Sequence, residues 1–136
     1  MNSDPRNPVP EGLYALTDRR QAGGRGHEEI VEALLRGGAP WIQLREKHIA
    51  AFPGASSSGQ SDAMTREVFA DSIARCLALT RRAGAVLLIN DDPLLAAETD
   101  ADGAHVGQED MAPREARRIL GARRILGLST HTREQF

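Results

Sequence analysis

Short apolar runs recur along this chain, and between them the apolar positions fall at helical spacing. "LYALT" (13–17) predicts a first strand. "HEEIVEALLRGG" then sets Ile30, Val31, Leu34 and Leu35 on one helical stripe, with Gly37 and Gly38 as a stop signal. "WIQLR" (41–45) predicts a second strand. From Thr65 to Ala83, Phe69, Ile73, Cys76, Leu77 and Thr80 share one side of a longer helix. "VLLIN" (86–90) is the near-continuous apolar run of a strand covered on both faces. Asp92 and Pro93 read as N-cap and first residue of a short helix reaching Thr99. "GAHVG" (103–107) predicts a fourth strand, Pro113 to Leu120 a helix, and "RILGL" (124–128) a fifth strand. "THTREQF" (130–136) looks like the start of one more helix.

Strands alternating with helices imply a parallel α/β architecture, either an open doubly wound sheet or a barrel. No G-x-G-x-x-G opens a helix after a strand and no G-x-x-x-x-G-K-[ST] occurs, so nucleotide-binding sheets lose their best support. "GGRG" (23–26) is too short a match and reads as a loop. One segment breaks the rhythm: "HIAAFPGASSSGQSDAM" (48–64) is rich in Pro, Ser, Gly and Asp. It is expected to be a disordered insertion at the carboxyl face of the sheet, with a substrate-covering lid as the alternative. Residues 1–11 read as a loose polar leader, and 12–136 as one domain.

Composition narrows this further. A chain of 136 residues with 40% hydrophobic and 26% charged side chains is globular in character and has room for one core. Aromatics are only 4%, so that core must be aliphatic. Seventeen basic and 19 acidic side chains give a net charge of −2, which argues against bulk nucleic-acid or anionic-membrane partners. "AVLLI" (85–89) is far too short to span a bilayer. No signal-peptide pattern opens the chain, so a cytoplasmic address is the default. Cys76 is the single cysteine and sits on the helical stripe, where packing is its expected role.

Each predicted strand deposits polar groups at its exit. Strand one gives Asp18, strand two Arg45 and Lys47, and strand three Asn90 and Asp91. Strand four leads to Gln108, Glu109 and Asp110, and strand five to Ser129. In parallel α/β folds the carboxyl ends of the strands converge on one face, where ligands bind. Asp18, Glu109 or Asp92 alone would be ordinary loop residues. The set is more coherent than that. Asp91 and Asp110 offer hard oxygen ligands for a hydrated Mg²⁺. Arg45 and Lys47 offer a fork and a point charge to an anion, and Asn90 and Ser129 complete a phosphate shell. These features suggest a Mg²⁺-dependent enzyme acting on a phosphorylated or pyrophosphorylated small molecule.

In this order "GLYALTD", "WIQLREK", "LLINDD", "DGAHVGQEDM" and "RILGLSTHT" resemble the thiamine-phosphate synthase family over nearly all of Gly12 to Thr132, apart from 48–64. The resemblance implies a TIM (β/α)8 barrel, of which about five of eight β/α units are visible. It also implies condensation of hydroxymethylpyrimidine pyrophosphate with thiazole phosphate, giving thiamine phosphate and pyrophosphate. On that resemblance Gln43 would bond the aminopyrimidine, and Arg45, Lys47 and Asn90 would bind its pyrophosphate. Asp91 and Asp110 would hold Mg²⁺, Ser129 would meet the departing group, and His105 would line the pyrimidine pocket or serve the structure. The implied mechanism is dissociative and needs no protein nucleophile. The implied partners are these small molecules, with no nucleic acid or membrane, and a homo-oligomer is compatible with the reading.

Two departures stand out. Asp92 occupies a position where the family commonly has Arg. A barrel of eight units also needs about 200 residues or more, so residues 1–136 alone are expected to be poorly stable and inactive. Two alternatives accompany the synthase reading: a thiazole tautomerase of the same superfamily, and a non-catalytic truncated chain.

Overall fold

The apolar runs form parallel strands. In the computed structural model, which describes residues 11–50 and 64–136, β1 is Tyr14–Leu16, α1 His27–Arg36, β2 Trp41–Leu44, β3 Ile49–Ala50 and β4 Met64–Thr65. The chain continues as α2 Arg66–Ala83, β5 Val86–Asn90, α3 Pro93–Glu98, β6 Gly103–Val106, α4 Pro113–Leu120 and β7 Ile125–Leu128. The main sheet runs β1-β2-β5-β6-β7, and every neighbouring pair is parallel. A doubly wound sheet reverses its strand order at a switch point. These strands instead follow one another in chain order, which is the sequence a barrel wall uses.

Strand parity divides the sheet into two faces. Ile42, Leu44, Leu87, Ile89 and Ala104 pack into one cluster with Val31 of α1, Phe69, Ile73, Cys76 and Leu77 of α2, Leu95 of α3 and Leu120 of α4. Each large apolar side chain buried there contributes about 1.5–3 kcal/mol relative to exposure. The opposite parity carries Tyr14, Gln43, Leu88, Asn90, His105 and Gly127, aligned by the register Gln43↔Leu88 and Asn90↔His105↔Gly127. A cavity of about 500 Å³ lies against this second face, beside Tyr14, Trp41, Leu88, His105 and Gly127.

Local signals set the helix limits. The Thr65 hydroxyl accepts from the Val68 N–H at 3.2 Å, and Gly84 ends α2 in the left-handed region at φ 68°. Asp92 caps α3 as the sequence predicts, its carboxylate accepting from the Leu95 N–H at 2.8 Å, with Pro93 following. At Gly103 an added Cβ would lie 2.0 Å from the Ile125 carbonyl oxygen, so only glycine lets β6 and β7 pair here.

Three expectations need correction. Residues 48–64 are not structureless throughout, because Ile49 and Ala50 pair in parallel with Met64 and Thr65. Residues 51–63, the body of the expected insertion or lid, lie outside the described residues, as does most of the leader. The fifth strand starts at Ile125 rather than Arg124, whose guanidinium bonds the Ala101 carbonyl and the Asp100 carboxylate instead. The expected last helix is, as far as Phe136, a single 3-10 turn at Arg133–Gln135. No described helix is long and apolar enough to cross a membrane.

Candidate active site

Because all five strands are parallel, their carboxyl ends rise on one edge and bring the predicted polar residues together. Lys47 leaves β2 and its ammonium reaches Asp91 Oδ2, just past β5, at 2.5 Å. Asp91 is held at φ 61°, a left-handed conformation that Asp tolerates better than most residues, while its N–H donates to the His105 carbonyl at 2.8 Å. Burial pushes the Asp91 carboxyl up, but the hydrogen bond and charge of Lys47, with a further bond from Asn90, outweigh it, and Asp110 lies alongside. The carboxyl therefore sits below the ordinary range and is ionised at neutral pH.

Asp110 is brought alongside by its own turn. Its Oδ2 accepts from the Gly107 N–H at 2.6 Å, which folds the "GQED" segment back on the end of β6. Asn90, Asp91 and Asp110 thus form one group across the β5 and β6 exits. The two carboxylates are hard oxygen donors of the kind Mg²⁺ selects. They provide a partial shell, since no described cluster of three or more His, Cys, Asp or Glu could hold an ion by itself. A cation here would keep waters or share substrate oxygens, as Mg²⁺ ordinarily does. The donor set fits that metal.

Arg45 points the other way along the edge. Its guanidinium donates to Asp18 Oδ2 at 2.8 Å, and its backbone N–H donates to the Thr17 hydroxyl at 3.0 Å. Asp18 also accepts the N–H groups of Arg20 and Gln21, and its carboxyl is lowered chiefly by the Gln21 bond. Asp18 is therefore both a turn former and the anchor of Arg45. Between the β1 and β2 exits lies a cavity of about 350 Å³ bordered by Arg19, Arg20, Arg45, Lys47 and His48 together with the carboxylates of Asp18 and Glu46.

Glu46, between the two cations, faces inward with a side chain only 4% exposed. It accepts from Arg19 Nε at 2.6 Å, bonds His27 Nε2 at 3.1 Å and accepts the His48 N–H at 3.0 Å. Burial raises its pKa, yet the bonds from His27 and Arg19 prevail and draw it down to about 2. Glu46 therefore fixes the loop that presents Arg45 and Lys47. Its partner His27 is fully buried against Phe69, with ring centroids 5.3 Å apart, and its Nδ1 has no hydrogen-bond partner among the described residues. Sequence reading missed His27, although it lies one turn before Val31 on the same stripe.

On the second face of the sheet, Gln43, His105 and Ser129 are joined through a residue that sequence reading passed over. Gln43 Nε2 donates to the Tyr14 hydroxyl at 2.8 Å. That hydroxyl lies 3.3 Å from His105 Nδ1, and His105 Nε2 lies 2.8 Å from the Ser129 hydroxyl. Burial raises the Tyr14 phenol, keeping it protonated, and lowers the His105 imidazolium despite the opposing charges of Asp91 and Asp110. Tyr14 was legible in principle: it has the same strand parity as the inward residues and is the one polar aromatic on β1.

The sequence matches the family described as thiamine monophosphate synthase over residues 13–136. It is 45% identical over 138 residues to the thiamine-phosphate synthase of Roseiflexus sp. (strain RS-1), covering 99% of this chain and 52% of that one. It is 40% identical over 119 residues to the thiamine-phosphate synthase of Chloroflexus aurantiacus (strain ATCC 29366 / DSM 635 / J-10-fl), covering 88% and 48%. The solved structure of thiamine phosphate pyrophosphorylase from Pyrococcus furiosus superposes with a TM-score of 0.71 at 32% identity, covering 90% of this chain and 51% of that one. The chain thus spans about half the length of these relatives.

Proposed function

Because this chain belongs to the thiamine monophosphate synthase family, we propose that its strand exits form the pyrimidine-pyrophosphate side of a thiamine-phosphate synthase site. The five-stranded sheet is then part of the wall of a (β/α)8 barrel, a reading supported by its unreversed strand order. The observation that carries the functional proposal is the grouping of Lys47, Asn90, Asp91 and Asp110 at adjacent exits, with Arg45 on the same edge.

The roles follow from the chemistry of each group. Gln43, buried and fixed by Tyr14, orients the aminopyrimidine. Arg45, Lys47 and Asn90 take the pyrophosphate oxygens, and the Ser129 hydroxyl donates to the departing group. His105 lines the pyrimidine pocket. Mg²⁺ held by Asp91 and Asp110 would neutralise negative charge developing on pyrophosphate. The displacement is dissociative: the pyrimidine–pyrophosphate bond breaks first, and the thiazole nitrogen then bonds to the methylene carbon. No side chain serves as nucleophile. The substrates are small molecules, and the proposed location is the cytoplasm.

A thiazole tautomerase of the same superfamily would not need pyrophosphate-binding cations. Arg45 and Lys47, set two residues apart at one strand exit, therefore favour the synthase. The test is pyrophosphate release with both substrates and Mg²⁺, by residues 1–136 alone and by the chain joined to the C-terminal half of a relative. Turnover by the joined protein that falls at least about 100-fold in Asp91→Asn supports the reading. Turnover that ignores chelation of Mg²⁺ and tolerates Asp91→Asn refutes it.

A further inference from the structure

The hydrogen bonds on the second face of the sheet pass through one hydroxyl, and counting protons leaves two directions open to them. The Gln43 amide donates to the Tyr14 hydroxyl. A phenol has one proton and two lone pairs, so beside the bond it accepts from Gln43 it can either donate to His105 Nδ1 or accept from it. A neutral imidazole carries one N–H. With Nδ1 accepting, that N–H is on Nε2, where it donates to the Ser129 hydroxyl oxygen at 2.8 Å. The backbone of Ser129 is already fixed, its N–H donating to the Val106 carbonyl and its carbonyl accepting from Gln108 Nε2. The remaining freedom is the hydroxyl rotor, and the His105 N–H occupies one of its lone pairs. In that direction the Ser129 proton is turned outward, available to an anion.

We propose that Tyr14 is the positioning residue of this site: its hydroxyl sets the donor end of the Gln43 amide and the tautomer of His105, so that Ser129 faces substrate as a hydrogen-bond donor. The proposal rests on the synthase reading for what Ser129 donates to, but not for the relay itself. Tyr14 need not touch substrate. Two features of the fold support the arrangement. The Tyr14 ring meets Trp41 edge-on, with centroids 5.8 Å apart and planes at 63°, which fixes where its hydroxyl points. Gly127 leaves room for the imidazole, since a Cβ there would lie 2.4 Å from His105 Nδ1.

Two measurements test this. The first is ¹⁵N-histidine NMR on the 136-residue chain, with His105 assigned by the signals lost in His105→Asn. The expected result is a protonated Nε2 and a bare Nδ1 in the wild type, and loss of that preference in Tyr14→Phe. A wild-type His105 protonated on Nδ1 overturns the proposal, whatever the enzyme's activity. The second is a double-mutant cycle in the catalytically active protein. Tyr14→Phe should lower kcat on the order of tenfold, the worth of one hydrogen bond, with KM for the thiazole phosphate unchanged. Ser129→Ala should cost much less in the Tyr14→Phe background than in the wild type. Additive losses overturn the relay. Absence of turnover in the chain joined to the C-terminal half of a relative would refute the synthase reading and leave the NMR result to decide the tautomer.

Discussion

Gly127 and His105 meet across the β6–β7 pair, and the space between them is less than a methyl group needs. Gly127→Ala should therefore push the imidazole away from Tyr14 and Ser129 while leaving the strand in place. The expected outcome is a shift of the His105 NMR signals and a loss of pyrophosphate release of about tenfold or more, with far-ultraviolet circular dichroism unchanged. Glu46 makes a separate prediction. Its carboxyl falls from the usual 4.5 to about 2 in the folded chain, so the unfolded state binds the proton more readily. The stability this provides is complete above about pH 4.5 and disappears as pH falls toward 2. Glu46→Gln should cost about 2 kcal/mol at neutral pH, because it breaks charge-assisted bonds to Arg19 and His27. In denaturant titrations the gap between wild type and variant should close across that same acid window. A constant gap from pH 7 to pH 2 would mean that the charge of Glu46 is irrelevant.

At the scale of elements, α2 shows how a helical stripe hides a reactive group. Cys76 lies with Phe69, Ile73 and Leu77 on the face packed against the sheet and is fully buried. Desolvation pushes its thiol up to about 12, far from the thiolate that alkylating and disulfide reagents attack. Reagents should label Cys76 only as fast as the helix opens, and labelling should accelerate sharply in denaturant; rapid labelling under native conditions would contradict the packing. The stripe, the Asp92 cap and the strand exits were all legible, because each depends on local spacing or on the parallel rule that aligns carboxyl ends. Other features were not. β3 and β4 are two residues each, too short to show a period. Tyr14 lies inside a strand and reads as one more apolar position until its hydroxyl is seen between Gln43 and His105. Glu46 resembles its charged neighbours in sequence, and only the turn that buries it against His27 separates its role from theirs.

Across the molecule, the site draws on all five main strands and the turns that follow them, so no single β/α unit contains it. Sequence showed which exits carry polar groups. It did not show that Arg45 would turn toward Asp18 while Lys47 turned toward Asp91, since that choice depends on which carboxylate each neighbouring strand presents. The short β3–β4 pair has a consequence of its own. Its paired residues hold the chain at Ile49 and Met64 about one strand spacing apart, close to 4.8 Å. The β3–β4 pair thus fixes the two points between which any joining chain must close. Closing a flexible connection costs only about 0.6 kcal/mol more for each doubling of its length. Replacing residues 51–63 with Gly/Ser linkers of about 7 and about 14 residues should therefore give proteins whose unfolding free energies differ by about that amount, measured by urea titration. In effect the pair is a clasp, which sets where a joining segment begins and ends without setting its length.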